Sequence, residues 1–435
     1  MGLSKKLSYY NYFVNDDNCV YAYNSLSNSF AILSNEEYNY LQEFSKSLCD
    51  IPKALEEELS KGMFLIPIDF SEIDFIKDRS KRFREKQNSL SITIVPTLDC
   101  NFRCTYCYEK GQRSPYRIQD DVKTKIYEYV EKKINEIKNL NITWYGGEPL
   151  LEKTTIEELS DRFISLCKEK NVIYNAGIVT NGYLIDESTL ELFKRAQITH
   201  CQITIDGTKE YHDKRRILND GSGSFDVIMK NLVKYGRNIN GLTIRVNIDR
   251  DNLDAVDEIK NYFDKVGIKR IRVLPAPVRN TWNCFSEEKC LSMEEYFEFE
   301  KSSIEKGDFD VLTKSFPSLR ANHCVADSQS GLVLDPEGNI YKCWCDLGIK
   351  QNSIGTIFEP IDTYIKNDLI SFDPFSDEKC SKCKLLPVCL GGCFHDRLNA
   401  NFGTCIPFKS NEETYIKYIS QALVKKSEKA KEIGE

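Results

Sequence analysis

A short loop with three cysteines follows a predicted buried strand, and it constrains the chain more than any other stretch. The strand covers Ser91–Val95, and Cys100, Cys104 and Cys107 follow it with the spacing C-x3-C-x2-C. Thiolates this close together in sequence suit a soft metal centre, either zinc or an iron–sulfur cluster. A closed structural zinc site takes four protein ligands, so three alone argue against zinc. The loop can therefore occupy three corners of one cubane cluster and leave one iron open.

Composition and charge exclude several classes of protein. The chain has 435 residues, 41% of them hydrophobic and 29% charged, as in an ordinary soluble protein with two or three domains. A net charge of -7 gives no reason to expect a nucleic-acid partner. No apolar run approaches the roughly 20 residues of a membrane helix, and the start of the chain lacks an apolar signal core. We therefore expect a cytoplasmic protein whose 17 cysteines serve largely as metal ligands.

The stretch from Ser91 to Pro277 alternates predicted strands and helices. The predicted strands are Ser91–Val95, Ile142–Tyr145, Val172–Val179, Cys201–Ile205, Leu242–Ile248 and Arg270–Leu274. The predicted helices are Asp121–Lys138, Ile156–Lys170, Glu187–Ala196, Phe225–Tyr235 and Leu253–Val266. This repetition implies a parallel sheet with crossover helices, although periodicity does not say whether the sheet closes.

Polar and glycine-rich motifs follow three of these predicted strands. The second strand leads into Gly-Gly-Glu-Pro at 146–149, where paired glycines permit close backbone approach and a carboxylate can neutralise an ammonium group. The third leads into Thr180-Asn181-Gly182, whose side chains can hydrogen-bond a ribose. The fourth leads into Asp206, followed by His212-Asp213 and Arg216. For His212 and Asp213 a helix-capping role and a catalytic role stay equally open.

The cysteine loop, with Tyr106 before its last cysteine, resembles the signature of the radical S-adenosylmethionine (SAM) superfamily. The resemblance implies an α/β fold, a partial (β/α)6 TIM-like barrel with its active site at the carboxyl ends of the strands. It also implies a [4Fe–4S] cluster on Cys100, Cys104 and Cys107 whose open iron binds the amino and carboxylate groups of SAM. Reductive cleavage of SAM would then give a 5′-deoxyadenosyl radical that abstracts a substrate hydrogen.

The same resemblance assigns roles to the motif residues. Glu148 and its backbone would hold the SAM amino group, and Arg216 would meet the SAM carboxylate, as in peptide-modifying members with a similar DG…HD..R stretch. The expected cofactor-binding residues are Tyr106, Gly146, Gly147, Glu148, Pro149, Thr180, Asn181, Asp206 and Arg216, and the expected catalytic residues are the three loop cysteines.

The cysteines beyond residue 323 resemble a SPASM domain, which binds auxiliary clusters. The expected ligands there are Cys324, Cys343, Cys345, Cys380, Cys383, Cys389, Cys393 and Cys405. The resemblance implies two auxiliary [4Fe–4S] clusters, three in all. The first would use the cysteines at 324, 343 and 393, and the second those at 380, 383, 389 and 405. A zinc ribbon over 380–393 is the alternative, and it would leave the upstream pair and Cys405 unused.

The fourth ligand of the first auxiliary cluster stays open at this stage. Cys345, Cys284 and Cys290 are candidates, and without any of them an open iron could bind a substrate thiolate. The scattered Cys19, Cys49, Cys167 and Cys201 are expected to be core residues.

The first 76 residues have a different character. Short strands are predicted at Tyr9–Val14, Cys19–Tyr23 and Ser29–Leu33, followed by helices that begin at Asn35 and Pro52. This order is similar to the winged-helix-like recognition domain of peptide maturases, a relative of the pyrroloquinoline-quinone chaperone. Such domains add the leader of a precursor peptide to a sheet edge. A structural cap without a ligand is the alternative.

The expected organisation has six parts. They are a leader-recognition domain at 1–76, a charged linker at 77–90, the radical SAM core at 91–277, a bridging region at 278–323, the SPASM domain at 324–410 and a C-terminal helix at 411–435.

The resemblance implies an oxidoreductase that forms a thioether from a cysteine of a ribosomally made precursor peptide. A flavodoxin or ferredoxin would supply electrons. A carbon–carbon cross-link between side chains is a close alternative. Formylglycine formation is another, but sulfatase maturases place an aspartate after the cysteine equivalent to Cys343, where this chain has Trp344 and then Asp346 further on. A non-catalytic iron–sulfur peptide-binding protein is disfavoured by the intact cysteine trio and Glu148.

Overall fold

A computed structural model describes residues 5–46, 50–85, 88–268, 271–320, 324, 326, 328, 330–359, 372–399 and 405–433. Cys49, expected in the core, and Arg270, expected at the start of a strand, lie outside these residues. In the described part of the chain, no helix has the length and apolar character needed to cross a membrane.

The strands and helices follow the predicted order closely. The strands are β1 (Lys5–Leu7), β2 (Asn11–Asn15), β3 (Val20–Asn24), β4 (Ser29–Leu33), β5 (Leu65–Pro67), β6 (Ser89–Ile94), β7 (Asn139–Trp144), β8 (Ile173–Thr180), β9 (Ile198–Thr204), β10 (Leu242–Ile248), β11 (Arg272–Pro277), β12 (Gly331–Leu334), β13 (Asn339–Tyr341) and β14 (Gly355–Thr356). The helices are α1 (Asn35–Ser45), α2 (Lys53–Lys61), α3 (Glu72–Glu85), α4 (Asp120–Lys133), α5 (Lys153–Lys170), α6 (Glu187–Arg195), α7 (Lys209–Arg215), α8 (Phe225–Tyr235), α9 (Ala255–Lys265), α10 (Met293–Glu305), α11 (Phe309–Ser315), α12 (Glu378–Ser381), α13 (Leu386–Cys389), α14 (Phe394–Asn399) and α15 (Glu412–Ile433).

The central sheet is a partial barrel of six parallel strands, β6 to β11, each hydrogen-bonded to the next. Helices connect successive strands, and the apolar residues of both form the main core. The predicted α/β fold is confirmed, and the ends of its strands and helices differ from prediction by only a few residues. The alternating pattern predicts these elements well because buried parallel strands are continuous apolar runs.

Three strands from the cysteine-rich region extend this sheet, which the sequence pattern did not indicate. β12 pairs in parallel with β6, so that Gly331 lies opposite Ser91 and Leu334 opposite Ile94. β13 and β14 follow in antiparallel order. All four residues of β12 are buried. The strand is too short for a periodicity signal, so only the tertiary pairing reveals it.

The N-terminal region forms a three-stranded antiparallel sheet in the order β2-β3-β4. The predicted strands and both helices are present, and Ser34 caps α1 in a capping box with Glu37. A pairing of β1 with β5 was not predicted. One face of the sheet packs on α1 and α2, and the other packs on residues near the C-terminus.

The charged segment at 77–90, expected as a linker, is mostly the helix α3. Ile76 is fully buried against Leu386 and Leu390, and Arg79 Nη2 donates to the carbonyl of Pro387 at 2.9 Å. Lys77, Asp78, Lys81 and Arg82 are exposed, whereas Arg79 contacts the C-terminal part of the chain.

Candidate active site

A small cavity lies at the carboxyl ends of β6, β7 and β8, and residues from all three predicted motifs line it. The cavity has a volume of about 150 Å³. Its wall includes Cys100, Cys104, Tyr106, Cys107, Gly146, Gly147, Thr180, Asn181 and Arg216. The structure therefore brings together most of the residues that the sequence assigned to the cluster and SAM.

Gly146 and Gly147 line the small cavity and permit the close approach of the cysteine loop. A Cβ on Gly147 would lie 2.1 Å from the Asp99 carbonyl oxygen, and one on Gly146 would lie 2.4 Å from a methyl of Val95. The close contact permits two backbone hydrogen bonds, from Gly147 N to Thr97 O at 3.3 Å and from Glu148 N to Asp99 O at 2.9 Å. The paired glycines thus dock the end of β7 onto the loop that carries the cysteines.

Glu148 is fully buried and does not belong to the described wall of the small cavity. Thr180 Oγ1 and the backbone N–H of Leu150 donate to its Oε1 at 2.6 and 3.0 Å, and the N–H of Asn181 donates to its Oε2 at 2.7 Å. Burial raises the pKa of Glu148, and these hydrogen bonds oppose the rise. Its carboxylate therefore ties the ends of β7 and β8 together. Pro149, also buried, begins a short 3-10 helix behind it.

Arg216 lines the small cavity and is held there by a chain of hydrogen bonds. Its Nη1 donates to the Tyr106 hydroxyl at 2.8 Å, and Asn247 Nδ2 donates to the same oxygen at 3.0 Å. The guanidinium also lies 5.6 Å from the centre of the Phe102 ring. A buried, fixed guanidinium beside the cysteine loop suits a carboxylate ligand.

Asp206 is fully buried and lies outside the wall of the small cavity. Its carboxylate is 3.7 Å from Arg215 Nε, and Arg215 Nη1 is 3.3 Å from the Asp249 carboxylate. Arg215 also stacks 4.5 Å from the ring of Tyr106. Asp206 therefore acts on Tyr106 through Arg215, which lies between them. Sequence reasoning missed Arg215, although it directly precedes Arg216.

His212 and Asp213 link α7 to the start of α8. Asp213 Oδ1 accepts from the N–H groups of Ser224 and Phe225 at 2.8 and 2.9 Å, which caps α8. His212 Nδ1 accepts from Asp206 N at 3.3 Å, so its Nε2 carries the proton toward Ser224 Oγ at 3.1 Å. Ser224 Oγ in turn donates to the carbonyl of Arg216 at 2.6 Å. The geometry favours the capping role for this pair.

The loop thiols are suited to a cluster but not to a single bound ion. Burial raises the pKa of all three, that of Cys107 to about 12, so a cationic metal centre would be needed to hold them as thiolates. Among the described residues, no three metal-ligating side chains converge closely enough to hold one ion. A cubane cluster instead holds its thiolates apart at separate corners, so this donor set fits a [4Fe–4S] group.

A larger cavity of about 770 Å³ adjoins the small one. The two share Tyr106, Tyr108, Tyr145, Val179 and Thr204. The larger cavity continues through the barrel interior to Cys345 and Cys405. A substrate in this space would lie between the cysteine loop and the C-terminal cysteines.

The described C-terminal cysteines form two neighbourhoods. Contact with Cys345 and burial raise the pKa of Cys343, and the pKa of Cys393 is raised by burial and by the nearby charge of Cys343. In the second group, burial raises the pKa values of Cys383 and Cys389, and the charge of Cys405 raises them further. The thiol of Cys380 accepts from Arg397 Nη2 at 3.5 Å. Burial raises the pKa of Cys380 to about 12, and the charge of Cys389 adds to the rise.

The candidates for a fourth ligand of the first group differ in their surroundings. Cys345 adjoins Cys343 and lines the large cavity. The Cys284 thiol donates instead to the carbonyl of Tyr106 at 3.3 Å, and that of Cys290 to the carbonyl of Ser286 at 3.5 Å. These contacts favour Cys345.

Trp344 is the residue at which the resemblance to sulfatase maturases implied an aspartate. Its ring stacks on Tyr145 with centroids 4.3 Å apart, and its Nε1 donates to Thr93 Oγ1 at 3.0 Å. Asp346 is buried outside the wall of the large cavity and accepts from Asn352 Nδ2 at 2.9 Å. At this position the large cavity is lined by an indole ring, and not by the carboxylate that the formylglycine alternative implied.

Residues 94–263 match the family model described as the radical SAM superfamily. This chain carries a radical SAM domain. It is 27% identical over 375 residues to the cysteine-type anaerobic sulfatase-maturating enzyme of Clostridium novyi, an alignment that covers 77% of this chain and 98% of the relative. It is 25% identical to the radical SAM cyclopropyl synthase TigE of Paramaledivibacter caminithermalis, with 88% of each covered.

A solved structure has a similar fold. Native anSMEcpe with bound AdoMet and Cp18Cys peptide superposes with a TM-score of 0.61 at 20% identity, covering 78% of this chain and 99% of that one. The predicted radical SAM domain and the enzymatic nature of the chain are confirmed. The radical SAM domain implies one [4Fe–4S] cluster and SAM. The roles of individual site residues stay predictions.

Proposed function

We propose that this radical SAM enzyme modifies a ribosomally made precursor peptide and forms a thioether from one of the peptide's cysteines. The observation that carries this proposal is the large cavity, which adjoins the small cavity at the cysteine loop and extends to Cys345 and Cys405. A peptide segment in this cavity would meet both the cysteine loop and the C-terminal cysteines. Peptide binding by the anSMEcpe structure supports a peptide as substrate.

Each part of the site has a task in this reaction. Cys100, Cys104 and Cys107 would hold the cluster, while Gly146, Gly147 and Glu148 fix the shape of the loop around it. When bound, the clusters and SAM supply a 5′-deoxyadenosyl radical and accept the remaining electron. A C–H bond and an S–H bond of the peptide are broken and one C–S bond forms. The hydrogen atom goes to 5′-deoxyadenosine and the thiol proton to solvent.

The C-terminal cysteines would hold two auxiliary [4Fe–4S] clusters. The first would use Cys324, Cys343, Cys345 and Cys393, and the second would use Cys380, Cys383, Cys389 and Cys405. The electrostatic neighbourhoods within the second set and the contact between Cys343 and Cys345 support this division. The electron donor would be a flavodoxin or ferredoxin in a reducing compartment such as the cytoplasm.

The N-terminal sheet would bind the leader of the precursor at its β4 edge. Both faces of the sheet are covered, so an added strand has to join at an edge. At the β2 edge, Lys384 Nζ already donates to the Asn11 carbonyl at 2.9 Å. Ile32 on β4 is half exposed. These contacts favour β4.

Formylglycine formation is a second candidate, because the sulfatase-maturating relative is aligned over 98% of its own length. The comparisons support it as well as they support peptide cross-linking. Trp344 in place of the expected aspartate is the observation against it.

Mass spectrometry of an anaerobic reaction tests both functions. The reconstituted enzyme, SAM and a chemical reductant are incubated with cysteine-containing precursor peptides encoded near this gene, with and without their leaders, and with a sulfatase-derived peptide. After thiol alkylation, a peptide that has lost two hydrogens and resists alkylation establishes a thioether. Hydrogen loss with every thiol alkylated indicates a carbon–carbon link, and loss of sulfur with a new aldehyde indicates formylglycine. Either of these results contradicts the proposed thioether.

A further inference from the structure

A cation without a carboxylate partner lies on the wall of the large cavity. Arg245 is on β10, on the same face of the strand as Thr243 and Asn247, and all three line the cavity. Its Nε donates to Asn247 Oδ1 at 2.8 Å. Among the described residues, no carboxylate lies within ion-pair distance of its guanidinium.

The surrounding wall has more positive than negative charge. Within the described part of this wall, Glu300 is the sole carboxylate, beside Arg245, Arg279, Lys314 and Arg320. Arg279 is ion-paired with Asp396 outside the cavity. Arg320 is also engaged in an interaction. Arg245 and Lys314 are therefore the cations that remain beside Glu300.

Glu300 is already committed to other groups. It lies 3.7 Å from Lys314 Nζ and accepts a hydrogen bond from the Tyr415 hydroxyl. Lys314 Nζ donates to the Pro275 carbonyl at 2.7 Å. Burial lowers the pKa of Lys314, the charge of Glu300 opposes this, and the charge of Arg245 lowers it further. Lys314 and Tyr415 therefore share the carboxylate of Glu300, and Arg245 has no ion-pair partner among the described residues.

We propose that Arg245, assisted by Lys314, binds a carboxylate of the substrate peptide. The carboxylate belongs to an aspartate or glutamate side chain close to the modified residue or to the peptide's C-terminus. The planar guanidinium presents paired N–H donors that match a carboxylate, and its terminal nitrogens face the cavity with no described acceptor. This inference rests on the proposed peptide-modifying function and adds the class of substrate.

The position of Arg245 connects substrate binding to the SAM site. Asn247 accepts from Arg245 and donates to the Tyr106 hydroxyl, which also accepts from Arg216. The chain of hydrogen bonds runs from the large cavity to the small one. A carboxylate held at Arg245 would therefore have a fixed distance from the reacting centre, and such positioning is a large part of catalysis.

Affinity selection with a defined peptide mixture tests the proposal. The probe is a set of synthetic cysteine-containing octapeptides in matched Asp and Asn forms, each with a C-terminal acid or amide. The cluster-reconstituted, SAM-loaded enzyme is incubated with the mixture, and retained peptides are counted by mass spectrometry. We expect roughly tenfold or greater retention of the carboxylate-bearing forms, because hydrogen bonds between charged groups are strong.

Variants identify the residue responsible. Arg245→Gln should reduce the preference to about one, and Arg245→Lys should keep part of it because the charge stays but the paired donors are lost. Arg237→Gln, an exposed arginine on the 3-10 helix after α8, is the control and should leave the preference unchanged. Iron content and SAM affinity are measured for each variant to verify that it is folded.

The outcomes separate this inference from the proposed function. A preference that follows the C-terminal acid rather than Asp supports it and identifies the terminus as the source. Equal retention of Asp and Asn forms and of acid and amide forms by the wild type overturns it. So does a preference that survives in Arg245→Gln, or a Gln variant that loses SAM instead of peptide discrimination. If the retained peptides stay chemically unchanged in turnover, the proposed function fails while carboxylate recognition by Arg245 stands.

Discussion

A single buried carboxylate fixes two strand ends beside the small cavity. Glu148 accepts three hydrogen bonds, from Leu150, Thr180 and Asn181. The sequence motif indicates that a carboxylate is needed at this point, but it does not show which groups the carboxylate contacts. Asn181 also donates to Asn101 Oδ1 at 2.7 Å, which extends the same network into the cysteine loop.

His212 makes a pH-dependent contribution to stability. Burial, followed by the charges of Arg216 and Arg215, lowers its pKa well below the ordinary 6.5. The folded state thus favours the neutral ring. The associated stability is present above pH 6.5 and is lost as the pH falls below the unfolded-state pKa toward the lower folded-state value.

Replacement of His212 by glutamine tests this contribution. His212→Gln keeps a donor toward Ser224 but does not titrate, so its thermal midpoint should fall less than that of the wild type between pH 7 and pH 5.5. Circular dichroism melts at each pH measure the difference. His200→Gln, an exposed histidine, is the control and should melt in parallel with the wild type. Parallel pH profiles for the wild type and the His212 variant would contradict the prediction.

The fit between elements at the end of β7 depends on the absence of a side chain. The cysteine loop and the loop after β7 approach so closely that a Cβ on Gly147 would overlap the Asp99 carbonyl. Sequence reasoning assigned the paired glycines to ligand approach. The structure shows that they permit two backbone segments to hydrogen-bond to each other. The neighbouring segment, which the motif itself does not reveal, decides whether a side chain can fit at these positions.

Gly147→Ala should therefore displace the cysteine loop. We expect loss of most of the SAM-site iron and its visible absorbance after anaerobic reconstitution, since the loop cannot hold three thiols in place. Gly111→Ala is a matched control, because nothing lies within 4 Å of a Cβ at that position. Iron per chain measured for both variants checks the result. Full cluster content in the Gly147 variant would show that the loop tolerates the displacement.

The N-terminal sheet contacts the C-terminal part of the chain. Tyr23 of the N-terminal sheet packs on Phe30 and Phe408, and Tyr9 donates to the Lys382 carbonyl at 2.6 Å. The Ser25 hydroxyl donates to the Lys384 carbonyl. The N-terminal sheet thus supports the segment that carries Cys380, Cys383 and Cys389.

Removal of the clusters should expose some cysteines and leave others protected. In the reconstituted protein we expect the proposed ligands, Cys345 included, to resist iodoacetamide at pH 8. After chelation of the iron, the ligand cysteines should react first. Cys167 and Cys201 should stay slow in both states, because they are only 2% and 1% exposed and the reagent cannot reach them in the folded protein.

Mass-spectrometric peptide mapping measures the labelling of each cysteine, with urea-unfolded protein as the fully reactive reference. A Cys345 that reacts in the loaded protein while Cys343 is protected would mean that it is not a ligand. Complete labelling of Cys380, Cys383, Cys389 and Cys405 in the loaded protein would argue against the second auxiliary cluster.

The sequence by itself determined the alternating core, the cysteine loop and the family, because each depends on local pattern and residue spacing. It also placed the strand at Leu242–Ile248 correctly. Only the tertiary structure decided that β12 joins β6, that the charged segment is a helix between the chain ends, and that Arg245 lies in the large cavity without a carboxylate partner among the described residues. These features depend on contacts between residues far apart in the chain, and sequence periodicity carries no signal for such contacts.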